Sequence, residues 1–373
     1  MKTLLFYTHA LTGGGAERVL AVLASGYARR GERVLFVTDY ESKDNLGFLD
    51  EKVERVIVGR GLFGSTRALS KILKTEKPDI SISALSGQNL KHAIAAWFAG
   101  RNAHAVLSYH GFFQAEPRPL SRLSYLLTPL LSRITAKTVC VSDALRRHVV
   151  GQWLGKKENC VRIYNPVLAG CPNAKPATRE EINARAPVIL ASGRLIESKG
   201  FSMLLKAFAL VKPANARLVI IGEGEERENL EAEIKRLGLT NRVDLPGYIA
   251  DPWNHYRDAA CVAITSTHES FSLVAVEALA HGLPVVSTWC QGPPEILEFG
   301  RWGALVGIDD VGATASALTQ ALENRGDPQP RFDYAKKFSI EHGMEEYDRL
   351  FEAVLDAEAK TAMATPKLQH QPQ

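Results

Sequence analysis

The apolar run KTLLFYT (residues 2–8) leads into a glycine triplet, Gly13-Gly14-Gly15, and the triplet opens a stretch of helical periodicity from Ala16 to Arg30 in which Val19, Leu20, Val22 and Leu23 are apolar. A second apolar run, RVLFVT (residues 33–38), follows directly. Strand, glycine turn, helix, strand is a βαβ unit, and the right-handed crossover rule makes its two strands parallel. Further strand patterns at Val53–Val58, Ile80–Ser83, Ala105–Tyr109, Thr138–Val141 and Val161–Tyr164 extend the unit into a domain that ends at Asn165-Pro166.

The pattern then restarts. Residues 169–186 are polar and carry two prolines in the part from Gly170 on, and they read as a linker. Beyond them, strand patterns at Val188–Ala191, Arg217–Ile221, Val243–Leu245, Cys261–Thr265 and Pro284–Ser287 alternate with helical patterns at Ser202–Leu210, Glu226–Leu237 and Leu273–Ala280. A chain of 373 residues is long for one core and sufficient for two. The expected division is 1–168 for the first α/β domain, 187–337 for the second, an amphipathic helix over 338–359 returning to the first, and a polar disordered tail over 360–373. The formal net charge of +4 is too small to argue for nucleic acid as a partner. Five scattered cysteines without CxxC spacing suggest neither a zinc knuckle nor a redox pair and fit reduced thiols in a cytoplasmic protein. No apolar stretch of about 18 residues occurs, so a soluble or peripheral protein is expected.

The segment His268-Glu269-Ser270-Phe271-Ser272-Leu273, continuing to Glu277, sets one carboxylate in a loop and a second inside the following helix. The helix N-terminus between them offers free N–H groups and the positive end of a dipole, to which phosphate binds readily. A carboxylate on either side can accept paired hydroxyls. The competing reading makes Glu269 a helix cap and Glu277 a solvated surface charge. Against it, Glu277 stands among Val274, Ala275, Val276, Ala278 and Leu279, where a carboxylate needs a partner. Arg194 and Lys199 follow another strand in a glycine-punctuated loop, and cations there can meet the charge of a diphosphate leaving group.

In this context the chain resembles the family 4 glycosyltransferases of the GT-B fold. Glu269 to Glu277 matches their E-x7-E motif. Ala191-Ser192-Gly193-Arg194-Leu195, Glu197-Ser198-Lys199-Gly200, Gly222-Glu223-Gly224, Pro246-Gly247-Tyr248 and Gly292-Pro293-Pro294-Glu295 fall in the family's order. The resemblance implies two Rossmann-like domains facing a deep cleft. It also implies a retaining, metal-independent hexosyltransferase with no cofactor, using a nucleotide sugar as donor. By the same resemblance Glu269 contacts the transferred sugar and Glu277 the ribose hydroxyls. Ser270, Phe271, Ser272 and Leu273 meet sugar and phosphate; Gly193, Arg194, Lys199, Gly222 and Tyr248 complete the donor site. Gly14 and Gly15 approach the donor phosphates, and His110, at the end of Ala105–Tyr109, orients the sugar or steers the acceptor. The family usually has glycine at the positions of Ser270 and Ser272. Such enzymes are thought to work by front-face attack, the donor phosphate helping to take the acceptor's proton.

Three other readings compete. A sucrose-synthase-like or epimerase enzyme would share the fold, and a non-catalytic binder would be expected to lose Glu269 or Lys199. A dinucleotide oxidoreductase lacks its glycine fingerprint, with Asp39 the nearest candidate for a ribose carboxylate. UDP is favoured as the donor nucleotide, with GDP-mannose as the alternative. The expected acceptor is a lipid-linked or cell-surface polysaccharide. Residues 118–147 interleave Arg118, Arg122, Arg133, Lys137, Arg146 and Arg147 with leucines. That pattern suits an anionic membrane surface on the cytoplasmic face of the inner membrane, and it equally suits a helix packed on a sheet.

Overall fold

The computed structural model describes residues 1–116, 118–167 and 177–364. Seven strands form the first sheet: β1 (Thr3–Thr8), β2 (Arg33–Thr38), β3 (Glu54–Ile57), β4 (Ile80–Ala84), β5 (Ala105–Tyr109), β6 (Lys137–Cys140) and β7 (Cys160–Arg162). Six form the second: β8 (Val188–Ser192), β9 (Arg217–Ile221), β10 (Val243–Gly247), β11 (Cys261–Ile264), β12 (Val285–Thr288) and β13 (Ala304–Val306). Their orders are β3-β2-β1-β4-β5-β6-β7 and β10-β9-β8-β11-β12-β13. Every pairing in both is parallel. Helices cover both faces of a parallel sheet, which is why the central strands read as unbroken apolar runs: Leu4, Leu5, Phe6 and Tyr7 are all buried. β13 was not foreseen; it is three residues long and only Val306 of it is buried.

The strand order reverses between β1 and β4 in the first sheet and between β8 and β11 in the second. Ligands of open α/β sheets bind in the crevice beyond the carboxyl ends of the strands at such a reversal. The loop after β1 carries the glycine triplet, the loop after β8 carries Gly193, Arg194 and Lys199, and the loop after β11 carries Glu269–Ser272.

The final helix, Ile340–Ala364, returns to the first domain. Met344, Tyr347, Leu350, Phe351 and Val354 join Leu4, Tyr27 and Ile163 in one core. Asp348 accepts from Arg30 at 2.7 Å and from the Tyr27 hydroxyl at 3.0 Å. Two expectations change. Residues 360–364, read as the start of a disordered tail, continue this helix, while 365–373 lie outside the described residues. In the stretch read as linker, 169–176 lie outside the described residues, as does the last residue of the first domain, Leu168, and Arg179–Ala184 is helical. That helix opens on a capping box, Thr178 with Glu181, a signature already present in the sequence. Cys140, Cys160, Cys261 and Cys290 are free and buried, and Cys171 lies outside the described residues.

Candidate active site

The helix Leu273–Ala280 follows the loop after β11, and Glu277 sits midway along it, 3% exposed. Its Oε2 accepts from the Tyr256 hydroxyl at 2.6 Å. Its Oε1 pairs with the guanidinium of Arg18, on the first domain's helix Gly15–Arg29. The reading of Glu277 as a solvated surface charge therefore fails, and the partner that its apolar setting demanded is present. The Tyr256 ring stacks on His281, whose Nδ1 donates to the Glu277 carbonyl at 2.7 Å.

The cap of this helix is Ser272, not Glu269. Ser272 Oγ accepts from the Ala275 N–H at 3.3 Å. The Ser272 backbone lies at φ 104°, in the left-handed region where glycine carries no Cβ penalty. Next to it, the Ser270 hydroxyl donates to the His110 carbonyl across the domain boundary at 2.5 Å. The loop rests on Gly292, whose N–H donates to the Glu269 carbonyl at 2.7 Å; a Cβ on Gly292 would run into the backbone of Ser270 and Phe271.

Lys199 Nζ stands 3.4 Å from Glu269 Oε2, so the two sequence-predicted groups meet. The loop bearing Lys199 is laced to the end of β11: the Thr265 hydroxyl donates to the Lys199 carbonyl at 2.9 Å, and the Thr267 N–H to Ser198 at 2.8 Å. Gly222 packs so closely on this region that a Cβ would overlap the Gly193 carbonyl oxygen. Arg194 is exposed, and its side chain has no hydrogen-bond or ion-pair partner among the described residues. Its charge nonetheless reaches the first domain, where it favours ionisation of Glu17 and Glu116. Tyr248 is half exposed, and its ring edge faces Gly13 of the glycine loop.

On the first domain, a Cβ at Gly15 would stand 2.7 Å from Leu273 Cδ1, and one at Gly14 would enter the Glu17 carboxylate. The triplet thus serves close approach to the helix Leu273–Ala280 as well as a tight turn. His110 is half-buried, with Nε2 2.9 Å from Ser108 Oγ; burial lowers its pKa to about 4, so the ring is neutral at pH 7. Asp39, weighed as a dinucleotide ligand, is instead buried and bonded to Lys91 at 2.6 Å and the Tyr7 hydroxyl at 2.7 Å.

Several site residues were missed in the sequence. Glu17 is buried, accepts from the Thr12 hydroxyl at 2.8 Å, and burial raises its pKa. His9, at the end of β1, is buried with Nδ1 unpaired among the described residues; burial and then the Arg118 charge lower its pKa to about 4. Glu17 and Arg18 stood in the glycine string, but only the fold shows their partners. Arg18, Tyr256 and the Glu295 contact carried no signal of role. Glu295 caps the first domain's helix Asp143–Gly151, accepting from the Asp143 and Ala144 N–H groups at 2.8 and 3.0 Å.

The basic segment divides into helices Pro119–Leu126 and Thr128–Ile134, strand β6 and the helix Asp143–Gly151. Tyr125 and Leu131 are buried, whereas Leu123, Leu126 and Leu130 are 42%, 59% and 54% exposed. Arg118 acts electrostatically on His9, Glu17 and Glu116, and so belongs to the cleft rather than to that outer face. No helix among the described residues is long and apolar enough to cross a membrane.

The two halves match two family models: Glycosyltransferase Family 4 over residues 13–168 and glycosyl transferases group 1 over 175–338. The chain belongs to the family 4 glycosyltransferases. Among the relatives of this glycosyltransferase is the lipopolysaccharide core biosynthesis glycosyltransferase LpsE of Rhizobium meliloti. It is 29% identical over 319 residues, covering 83% of this chain and 86% of the relative. Another is a Campylobacter jejuni α-1,4-N-acetyl-D-galactosaminyltransferase acting on a diphospho-undecaprenol-linked glycan, 26% identical over 96% of this chain and 100% of its own length. Anabaena HepE, solved in complex with UDP-glucose, superposes with a TM-score of 0.78 at 22% identity, over 96% of this chain and all of that one, and so shares the GT-B fold.

Proposed function

We propose that this glycosyltransferase moves a hexose or N-acetylhexosamine, with retention and without a metal, from a UDP-sugar to a lipid-linked or cell-surface glycan. The observation that carries the proposal is Glu277: a buried carboxylate, aligned by two donors, about one turn into a helix whose preceding loop holds Glu269 beside Lys199. Ribose hydroxyls donate to Glu277. The diphosphate lies at the N–H groups of Phe271–Leu273, the Gly14-Gly15 turn and the Gly193 loop. Arg194, whose side chain has no partner among the described residues, and Lys199 take the charge that develops on the leaving diphosphate. Glu269, next to Lys199, accepts from a hydroxyl of the transferred sugar. His110 is neutral and offers its remaining ring nitrogen as a hydrogen-bond partner without adding charge. The acceptor attacks from the face of the leaving group, and the departing phosphate oxygen takes its proton.

The UDP preference draws on the UDP-glucose complex of HepE, and the acceptor class on the lipopolysaccharide and undecaprenol-linked substrates named for LpsE and the Campylobacter enzyme. Membrane association at the cytoplasmic face draws on the exposed leucines beside Arg122 and Arg133. Glu269→Ala and Lys199→Ala are each expected to lower transfer by about a hundredfold or more with the thermal unfolding transition retained. Near-wild-type turnover in either variant would refute the site.

A further inference from the structure

The segment from Glu269 to Glu277 belongs to the second domain, yet both of its ends are bonded to the first. At one end the Ser270 hydroxyl donates to the His110 carbonyl at 2.5 Å. At the other, Glu277 pairs with Arg18, the side chains being 4% and 18% exposed. Between them Leu273 fills the space left by the missing Cβ of Gly15, and the Phe271 ring packs 5.9 Å from that of Tyr164. The leaving-group chemistry asks nothing of Arg18, since Arg194 and Lys199 supply the cations. Nor does it ask for a hydroxyl at 270, where the family pattern has glycine.

A carboxylate offers about four acceptor positions. Arg18 and Tyr256 occupy two from opposite oxygens, which fixes the carboxylate plane and leaves two positions for a pair of hydroxyls. Burial works against the charge of Arg18, and Glu277, with Tyr256 and Tyr248, together more than offset it. The Ser270 bond fixes the His110 peptide, and with it the distance between His110 and the neighbouring Glu269.

We propose that Arg18 and Ser270 are positioning residues through which the first domain completes the donor site, Arg18 aligning Glu277 for the ribose and Ser270 registering Glu269 against His110. This rests on the donor reading of Glu269 and Glu277. Donor affinity then includes the contact between domains, so that nucleotide binding and apposition of the two domains are linked.

The test uses the full chain, with UDP and GDP titrated by calorimetry and turnover followed with the sugar of whichever nucleotide binds. Arg18→Met weakens that nucleotide by about tenfold or more, and Arg18→Lys, which keeps the charge without the planar fork, recovers part of the loss. Ser270→Ala keeps nucleotide affinity within about twofold but lowers kcat about tenfold at unchanged donor KM, and Ser270→Thr restores it. Wild-type nucleotide affinity in Arg18→Met overturns the role of Arg18; should that variant not fold, wild-type affinity in Arg18→Lys overturns it. Wild-type kcat in Ser270→Ala overturns the role of Ser270. A wild-type chain that binds neither nucleotide refutes the donor reading beneath the proposal instead.

Discussion

At the scale of single residues, Ser272 sets a local conflict. Its backbone is in the left-handed region, which costs a non-glycine residue about 1–3 kcal/mol, while its hydroxyl caps the helix that bears Glu277. Replacing a serine cap by glycine costs only a few tenths of a kcal/mol, whereas alanine loses about 1 kcal/mol. Ser272→Gly is therefore expected to raise stability by about 1 kcal/mol and Ser272→Ala to lower it by about as much. Denaturant unfolding of the two variants reads this directly; shifts of the same sign would show that strain and cap are not opposed. The burial of Glu277 was legible because its neighbours are apolar. Its partner was not: Arg18 lies 259 positions away, and only the meeting of two domains brings it there. The strain at Ser272 was equally hidden, since nothing in the residue type announces a positive φ.

Among elements, the strands were the most legible, because parallel strands buried on both faces leave continuous apolar runs. β13 escaped because three residues, mostly uncovered, leave no run. Glycine loops were visible, but their purpose was not. Gly222 and Gly292 are required by backbones that approach from other loops, a demand that single-sequence reading cannot weigh. The helices from Pro119 to Ile134 divide their leucines between core and solvent, so the packing account covers Leu131 and leaves Leu123, Leu126 and Leu130 without cover among the described residues. Leu126→Asp combined with Leu130→Asp should abolish co-sedimentation with vesicles containing anionic lipid while leaving nucleotide affinity unchanged. Undiminished co-sedimentation in that variant removes this face as the membrane contact.

At the scale of the whole molecule, three histidines held neutral, His9 and His92 buried and His110 half-buried, give stability a pH dependence. Burial lowers His9 and His110 to about 4 and His92 to about 3. An unfolded histidine titrates near about 6.5. The unfolded chain therefore binds more protons below that value, and stability present above pH 6.5 is lost as pH falls toward 4. The raised values of Glu17 and Glu116 act in the opposite sense and offset part of the loss. Unfolding in urea at pH 7 and pH 5 should show a decrease of about 1–2 kcal/mol per histidine before that offset; an unchanged free energy would mean the rings are not held neutral. The same assembly of two sheets brings the reversal points of both to one cleft, with the glycine loop of the first against the helix Leu273–Ala280 of the second. The claim that this cleft holds a nucleotide sugar is most directly tested by thermal shift of the full chain against UDP- and GDP-linked hexoses and N-acetylhexosamines. The account predicts a higher melting temperature with the sugars of one nucleotide, by mass action, and a smaller rise in Lys199→Ala. No rise with any of them, or an equal rise in Lys199→Ala, would contradict it.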